Sequence, residues 1–185
     1  MNEIILSIQV VAINLKTYLE LDELEKNKKL NPIDSKIISI AIKNKDELII
    51  LKGDEKQILL DFWNYIEEKK ISKYIGFQIR QFDLPFITTR SFIKNVKIVP
   101  FKISQIFDLR EKINAYRFGS TRGKLKEYAE FIGVEYENIN SEEIPNLYSE
   151  NKLEEIEDII KQEINAIEII NKRVKELNID KIQRF

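Results

Sequence analysis

The chain contains no cysteine and no histidine. Without thiols there are no disulfides, no Cys-zinc sites and no thiol catalysis. Without imidazole there is no histidine general base, no Ser-His nucleophile pair, and the commonest metal ligand is missing. Any metal would therefore be a hard ion on oxygen ligands, of the Mg²⁺ or Mn²⁺ type. Glycine and proline are scarce, at 5 and 4 residues. Neither a Gly-x-Gly-x-x-Gly pattern nor a Walker loop occurs, which excludes those phosphate cradles. No run of eighteen apolar residues is present, so a membrane-spanning helix is not expected. The first residues open on Asn2 and Glu3 rather than a basic region, which points away from a signal peptide and toward the cytoplasm. Charge of one sign is also missing. The balance is 30 Lys+Arg against 31 Asp+Glu, a net of −1. A globally basic nucleic-acid coat is excluded, and such a contact must come from a local patch.

What is present suits one folded domain over residues 1–185. Apolar residues are 43% of the chain and aromatics 10%, enough for a sizeable core. The run Ile4–Asn14 reads as a central strand. Lys36–Lys43 and Glu47–Lys52 read as a hairpin across the turn signal at residues 44–46. Asp54 caps a helix whose Ile58, Leu59, Phe62, Tyr65 and Ile66 recur at helical spacing. A short strand at Lys73–Phe77 follows, then a helix at 84–94 and a strand at Ile103–Leu109. The remainder is helical: 123–132, a short turn at 141–147, and a long helix over 153–177 with a stripe from Ile156 to Leu177. Residues 20–35 read as a loop, and 178–185 as a flexible tail. The order β-β-β-α-β-α-β-α-α predicts an α/β fold with a mixed sheet of about five strands.

Charge is locally uneven. Between Arg110 and Lys126 six basic residues face one acid, Glu111, whereas residues 135–163 hold ten acids and two lysines. The segment Tyr116–Lys124 mixes cations, two aromatic rings and glycines. Arg117, Arg122 and Lys124 there are candidate nucleic-acid contacts, with single-stranded DNA as the candidate ligand. An ordinary loop before a helix is the other reading of that segment.

The most specific feature is Gly76-Phe77-Gln78-Ile79-Arg80-Gln81-Phe82-Asp83-Leu84-Pro85-Phe86, with Arg90 beyond it. It resembles the second motif of DEDD-type 3′→5′ exonucleases, the group that includes the proofreading domains of family B DNA polymerases. The pattern there is Gly-Tyr-Asn-x-x-x-Phe-Asp-Leu-Pro-Tyr. The resemblance implies a ribonuclease H-like fold in which the first three strands are antiparallel and the last two parallel. It also implies a site where four carboxylates hold two divalent ions for displacement at phosphorus. Carried over residue by residue, Asp83 is the third acid. Glu163 stands for the last-helix acid, with Ile159 where a Tyr belongs. The first-strand pair Asp-x-Glu is expected at Asn14 and Lys16, a register taken from the downstream Asn31-Pro32 and Lys36–Ile40. On that register the four positions sum to −1 instead of −4, with an amine in the metal's place. Two unit charges of like sign about 4 Å apart repel by on the order of 4 kcal/mol near a surface, and a dication doubles this.

The expectation is a catalytically inactive homologue that needs no cofactor. It would serve as a nucleic-acid- or partner-binding module beside a replication or repair protein, with Lys16 paired to Asp83 or Glu163. The alternative is an active exonuclease with an altered Mg²⁺ or Mn²⁺ site that recruits Asp108 or Asp158. A third reading is a structural subunit that binds protein only.

Overall fold

The computed structural model describes residues 2–45, 47–117, 123–135 and 141–183. Five strands form one sheet in the order β3-β2-β1-β4-β5: β1 (Glu3–Ala12), β2 (Ser35–Asn44), β3 (Glu47–Lys52), β4 (Lys73–Gly76) and β5 (Ile106–Asp108). β1 pairs antiparallel with β2, and β2 with β3, while β1–β4 and β4–β5 are parallel. The mixed α/β sheet is thus as expected, with helices on both faces.

β1 is apolar almost throughout because both its faces are covered. Ile4, Leu6 and Ile8 point to one core, with Phe62 and Trp63 of α3 (Glu55–Glu68) and Leu84, Phe86 and Ile87 of α4 (Asp83–Ile93). Ile5 points to the other, against Ile160, Ile164, Ile167 and Ile170 of the long C-terminal helix. Farther along the same face Val11 joins Ile38, Ile156, Ile159, Ile144 and Leu147.

The connection from β1 to β2 departs from the loop expected there. Asn14 caps a short helix, α1 (Leu15–Leu19), and its side chain accepts from Thr17 N–H at 3.4 Å. Asp22 caps α2 (Glu23–Lys29) and accepts from Glu25 N–H at 2.9 Å. Both caps satisfy donors that the first helical turn leaves open. The two helices are only 5 and 7 residues long, too short for a helical period to stand out. The remaining helices are α5 (Leu109–Ile113), α6 (Leu125–Phe131), α7 (Ile144–Ser149) and α8 (Leu153–Glu176).

Of the tail expected at 178–185, the stretch up to Ile182 is docked, and residues 184 and 185 lie outside the described residues. The buried Lys112 ammonium donates to the carbonyl oxygens of Asp180, at 3.0 Å, and of Ile182. It also lies 5.2 Å from the centre of the Phe107 ring. Lys112→Met removes two charge-assisted bonds and should loosen this segment by about 2 kcal/mol. Hydrogen exchange at the Lys181 and Ile182 amides should speed up while that of β1 stays unchanged. Unaltered exchange at both amides would contradict the role given to Lys112.

Candidate functional site

A polar layer lies between the two apolar clusters on the α8 face. It starts from strand alternation. Residues 5, 7, 9 and 11 of β1 face α8, and Ser7 and Gln9 interrupt an otherwise apolar row. Facing them, Glu163 interrupts the apolar stripe of α8, four residues after Ile159 and four before Ile167. Ser7 Oγ donates to Glu163 Oε2 at 2.9 Å, and Gln9 Nε2 donates to the same oxygen at 3.1 Å. Ser39, opposite Gln9 on β2, is also buried in this layer. Among the described residues its hydroxyl and Gln9 Oε1 have no protein partner.

Asp83 reaches the layer from the other side of β1. The parallel ladder with β4 ends at Ile5–Ile75, so the Ile8 N–H beyond it has no β4 partner. Asp83 Oδ1 accepts that N–H at 3.1 Å. The turn carrying Asp83 to this point is tightly specified. Gly76 approaches the Leu6 carbonyl so closely that a Cβ would lie 3.1 Å from its oxygen and 2.8 Å from Ile79 Cβ. Gln78 adopts a left-handed φ of 61°, a conformation uncommon for residues other than Gly, Asn and Asp. Asp108 fixes this turn: it accepts from Gln78 and Arg80 N–H, both at 3.1 Å, and from Arg110 and Glu111 N–H at 3.0 and 3.3 Å.

Burial dominates the electrostatics. Desolvation, then the nearby charge of Glu163, push the Asp83 carboxyl up to about 8, against the pull of its own N–H and that of Ile8. Desolvation likewise pushes Glu163 up to about 7, and the Ser7 and Gln9 donors only partly offset it. Removing a carboxylate from water without a cation favours the neutral form. Unfolded, the two groups release their protons near 3.8 and 4.5. Between those values and their folded ones the native state binds more protons, so its stability falls as pH rises from about 4 to about 8. Melting temperatures measured at intervals from pH 5 to pH 8 should decline. The double change Asp83→Asn with Glu163→Gln should remove that slope, and a slope that persists in the variant would contradict the assignment.

Two of the expected site residues are elsewhere. Asn14 and Lys16 lie past the end of β1, both exposed, one as the cap of α1 and the other within it. Among the described residues Lys16 makes no ion pair with Asp83 or Glu163. The expected salt bridge is therefore replaced by neutral donors. The physical reason is the register: β1 faces α8 at Ser7 and Gln9, and the chain has already turned into α1 by residue 14. The signal was available in Ser7-Ile8-Gln9, two polar side chains two apart in a strand otherwise apolar on both faces. Ile159 is core, 2% exposed. In the basic segment, Arg117 is exposed, Lys124 pairs with Glu142, and Arg122 lies outside the described residues.

The layer's donor set is two carboxyls, two hydroxyls and one amide, with the Ser7 hydroxyl and the Gln9 amide N–H directed into Glu163. A two-ion centre draws on about four carboxylate charges. These residues do not fit one. Among the described residues no group of three or more acids that could hold a metal ion occurs.

Residues 35–167 match the family described as a predicted 3′–5′ exonuclease related to the exonuclease domain of PolB. The chain belongs to this family. The matched span contains Asp83 and Glu163 and begins after Ser7 and Gln9. The chain is also 35% identical over 127 residues to the uncharacterized protein MJ0365 of Methanocaldococcus jannaschii, covering 64% of this chain and 70% of that protein. Its fold is that of a domain in the family B DNA polymerase of the hyperthermophilic archaeon Pyrobaculum calidifontis, with a TM-score of 0.72 at 14% identity over 97% of this chain. The chain spans only 25% of that polymerase. The architecture is thus that of a polymerase exonuclease domain, ribonuclease H-like. No helix among the described residues is long and apolar enough to cross a membrane.

Proposed function

We propose that the chain is a non-catalytic homologue of the 3′→5′ exonucleases, a cytoplasmic module that binds single-stranded nucleic acid or a replication or repair protein. One observation carries this reading. The strand-one positions that face the last-helix acid hold Ser7 and Gln9, which donate hydrogen bonds to Glu163 where two ligating carboxylates would stand. The acids that an altered active site would recruit are otherwise engaged. Asp108 accepts four backbone N–H groups, and Asp158 is exposed on α8 beside Lys161. The nucleic-acid side of the reading rests on exposed Arg117 and the basic run around it.

An oligonucleotide labelled at its 5′ end, incubated with the full chain and Mg²⁺ or Mn²⁺, should keep its length on both single-stranded and duplex substrates. Shortening from the 3′ end that Asp83→Asn abolishes would overturn the reading. Binding of the same single strand should persist without added metal and weaken as salt rises.

A further inference from the structure

β3 is an outer strand of the sheet, and its edge has few of the features that usually guard one. It carries no proline, and its ladder to β2 runs unbroken from Asn44–Glu47 to Ser39–Lys52. Its four central residues are Leu48, Ile49, Ile50 and Leu51. Charge sits at the two ends, Glu47 and Lys52, with opposite sign.

The neighbouring ladders fix the direction of its main-chain groups. Ile8 sends its N–H to Asp83 on the β4 side, so Ile8 and the opposed Ile40 of β2 exchange no bonds. Ile40 therefore bonds to Leu51 of β3, and by alternation Ile49 and Glu47 also turn toward β2. The N–H and C=O groups of Leu48, Ile50 and Lys52 point away from the sheet. Among the described residues no turn, loop or cap bond reaches them.

Side chains alternate between the two faces, Ile50 packing on the α8 side and Leu51 on the α3 side. Leu48 is 40% exposed, and Ile49, Ile50 and Leu51 are half-buried.

We propose that a second copy of this chain pairs with β3, antiparallel and about a two-fold axis at Ile50, joining the two sheets edge to edge. Outward residues must meet outward residues, and the axis at Ile50 uses all three on each copy. Leu48 then opposes the partner's Lys52, and Ile49 opposes the partner's Leu51. The strand suits its own copy. Each Glu47 end lies beside the partner's Lys52 end. The two Lys52 residues are four steps apart along the strands, about 14 Å, beyond the screening length of about 8 Å. A parallel copy would instead set like charges side by side. Ile50 meets Ile50 and Ile49 meets Leu51, aliphatic cross-strand pairs that favour a sheet. Six residues a side make a small interface, so the dimer is reversible, with micromolar rather than nanomolar dissociation. β5 and the basic run after it lie at the opposite edge. The contact therefore holds whether or not the module binds nucleic acid.

Sedimentation equilibrium of the full chain from about 10 μM to about 1 mM should show the mass rising from one copy to two. Amide exchange over the same range should slow at Leu48, Ile50 and Lys52 and stay constant at Ile49 and Leu51, which β2 already holds. A substitution at Leu48 acts twice in a two-fold contact. Leu48→Lys sets like charges opposite each other and should weaken association roughly tenfold or more. Leu48→Glu loses the same apolar cover but faces Lys52 with the opposite charge. It should associate roughly tenfold more tightly than Leu48→Lys. Melting curves check that both variants fold, and the exchange measurement on the native chain needs neither. A chain still single at about 1 mM would overturn the proposal. So would a dimer whose edge amides exchange at unchanged rates, equal affinity of the two Leu48 variants, or growth beyond two copies.

Discussion

Arg90→Met is expected to lower stability by about 3–5 kcal/mol, a large share of the roughly 5–15 kcal/mol that holds a typical domain folded. Arg90 and Glu55 form a buried pair with side chains 4% and 6% exposed. Arg90 Nε donates to Glu55 Oε1 at 2.8 Å and Nη2 to Oε2 at 2.6 Å, while Nη1 donates to the Pro32 carbonyl at 3.0 Å. Glu55 Oε1 also accepts from Ile37 N–H at 2.8 Å. One pair therefore joins the start of α3, the last turn of α4, β2 and the turn before it. Among the described residues, methionine leaves the buried Glu55 carboxylate with one cation, the half-buried Lys94, whose Nζ lies 3.5 Å away. The large effect comes from that stranded charge rather than from the pair's net worth. Glu55→Leu combined with Arg90→Met should accordingly cost less than Arg90→Met alone. Urea unfolding of the native chain and the two variants measures this. A single variant within about 1 kcal/mol of the native chain would contradict it. Because α4 begins at Asp83, a shifted α4 would also move that carboxylate off the Ile8 N–H.

Much of this fold is legible in the residues. Apolar runs bounded by turn signals place the five strands, and the 3.6-residue period the long last helix, to within a few positions. Gly76–Phe86 marks the turn into α4 because close approach and a left-handed residue constrain it so heavily. Glu163 is legible as an acid inside an isoleucine stripe. The first-strand pair is not legible in the same way. A strand buried on both faces has no alternation to fix which residues face α8. The register at Asn14 and Lys16 rests on Asn31-Pro32 and Lys36–Ile40, and α1 and α2 occupy the connection between. Lys16 is exposed on α1. Ser7 and Gln9 are uncharged polar residues of a kind ordinary in strands until a carboxylate is found opposite them. The Arg90–Glu55 pair joins residues 35 apart in sequence. No local pattern announces such a contact.

The second large effect concerns the polar layer itself. Ser7→Asp together with Gln9→Glu should restore four carboxylates around one space. Without a cation those charges repel and are desolvated, so the variant should melt below the native chain. Mn²⁺ should then raise its melting point, because an ion that binds only the folded state stabilises it by mass action. Asn14→Asp with Lys16→Glu adds the same two acids on the exposed surface of α1 and should do neither.

Isothermal titration of Mn²⁺ into the native chain and these two double variants is the most direct measurement. Heat of binding at the Ser7/Gln9 variant, with none at the other two, is the predicted outcome. Saturable binding gained by the Asn14/Lys16 variant, or present in the native chain and lost in Glu163→Gln, would contradict it.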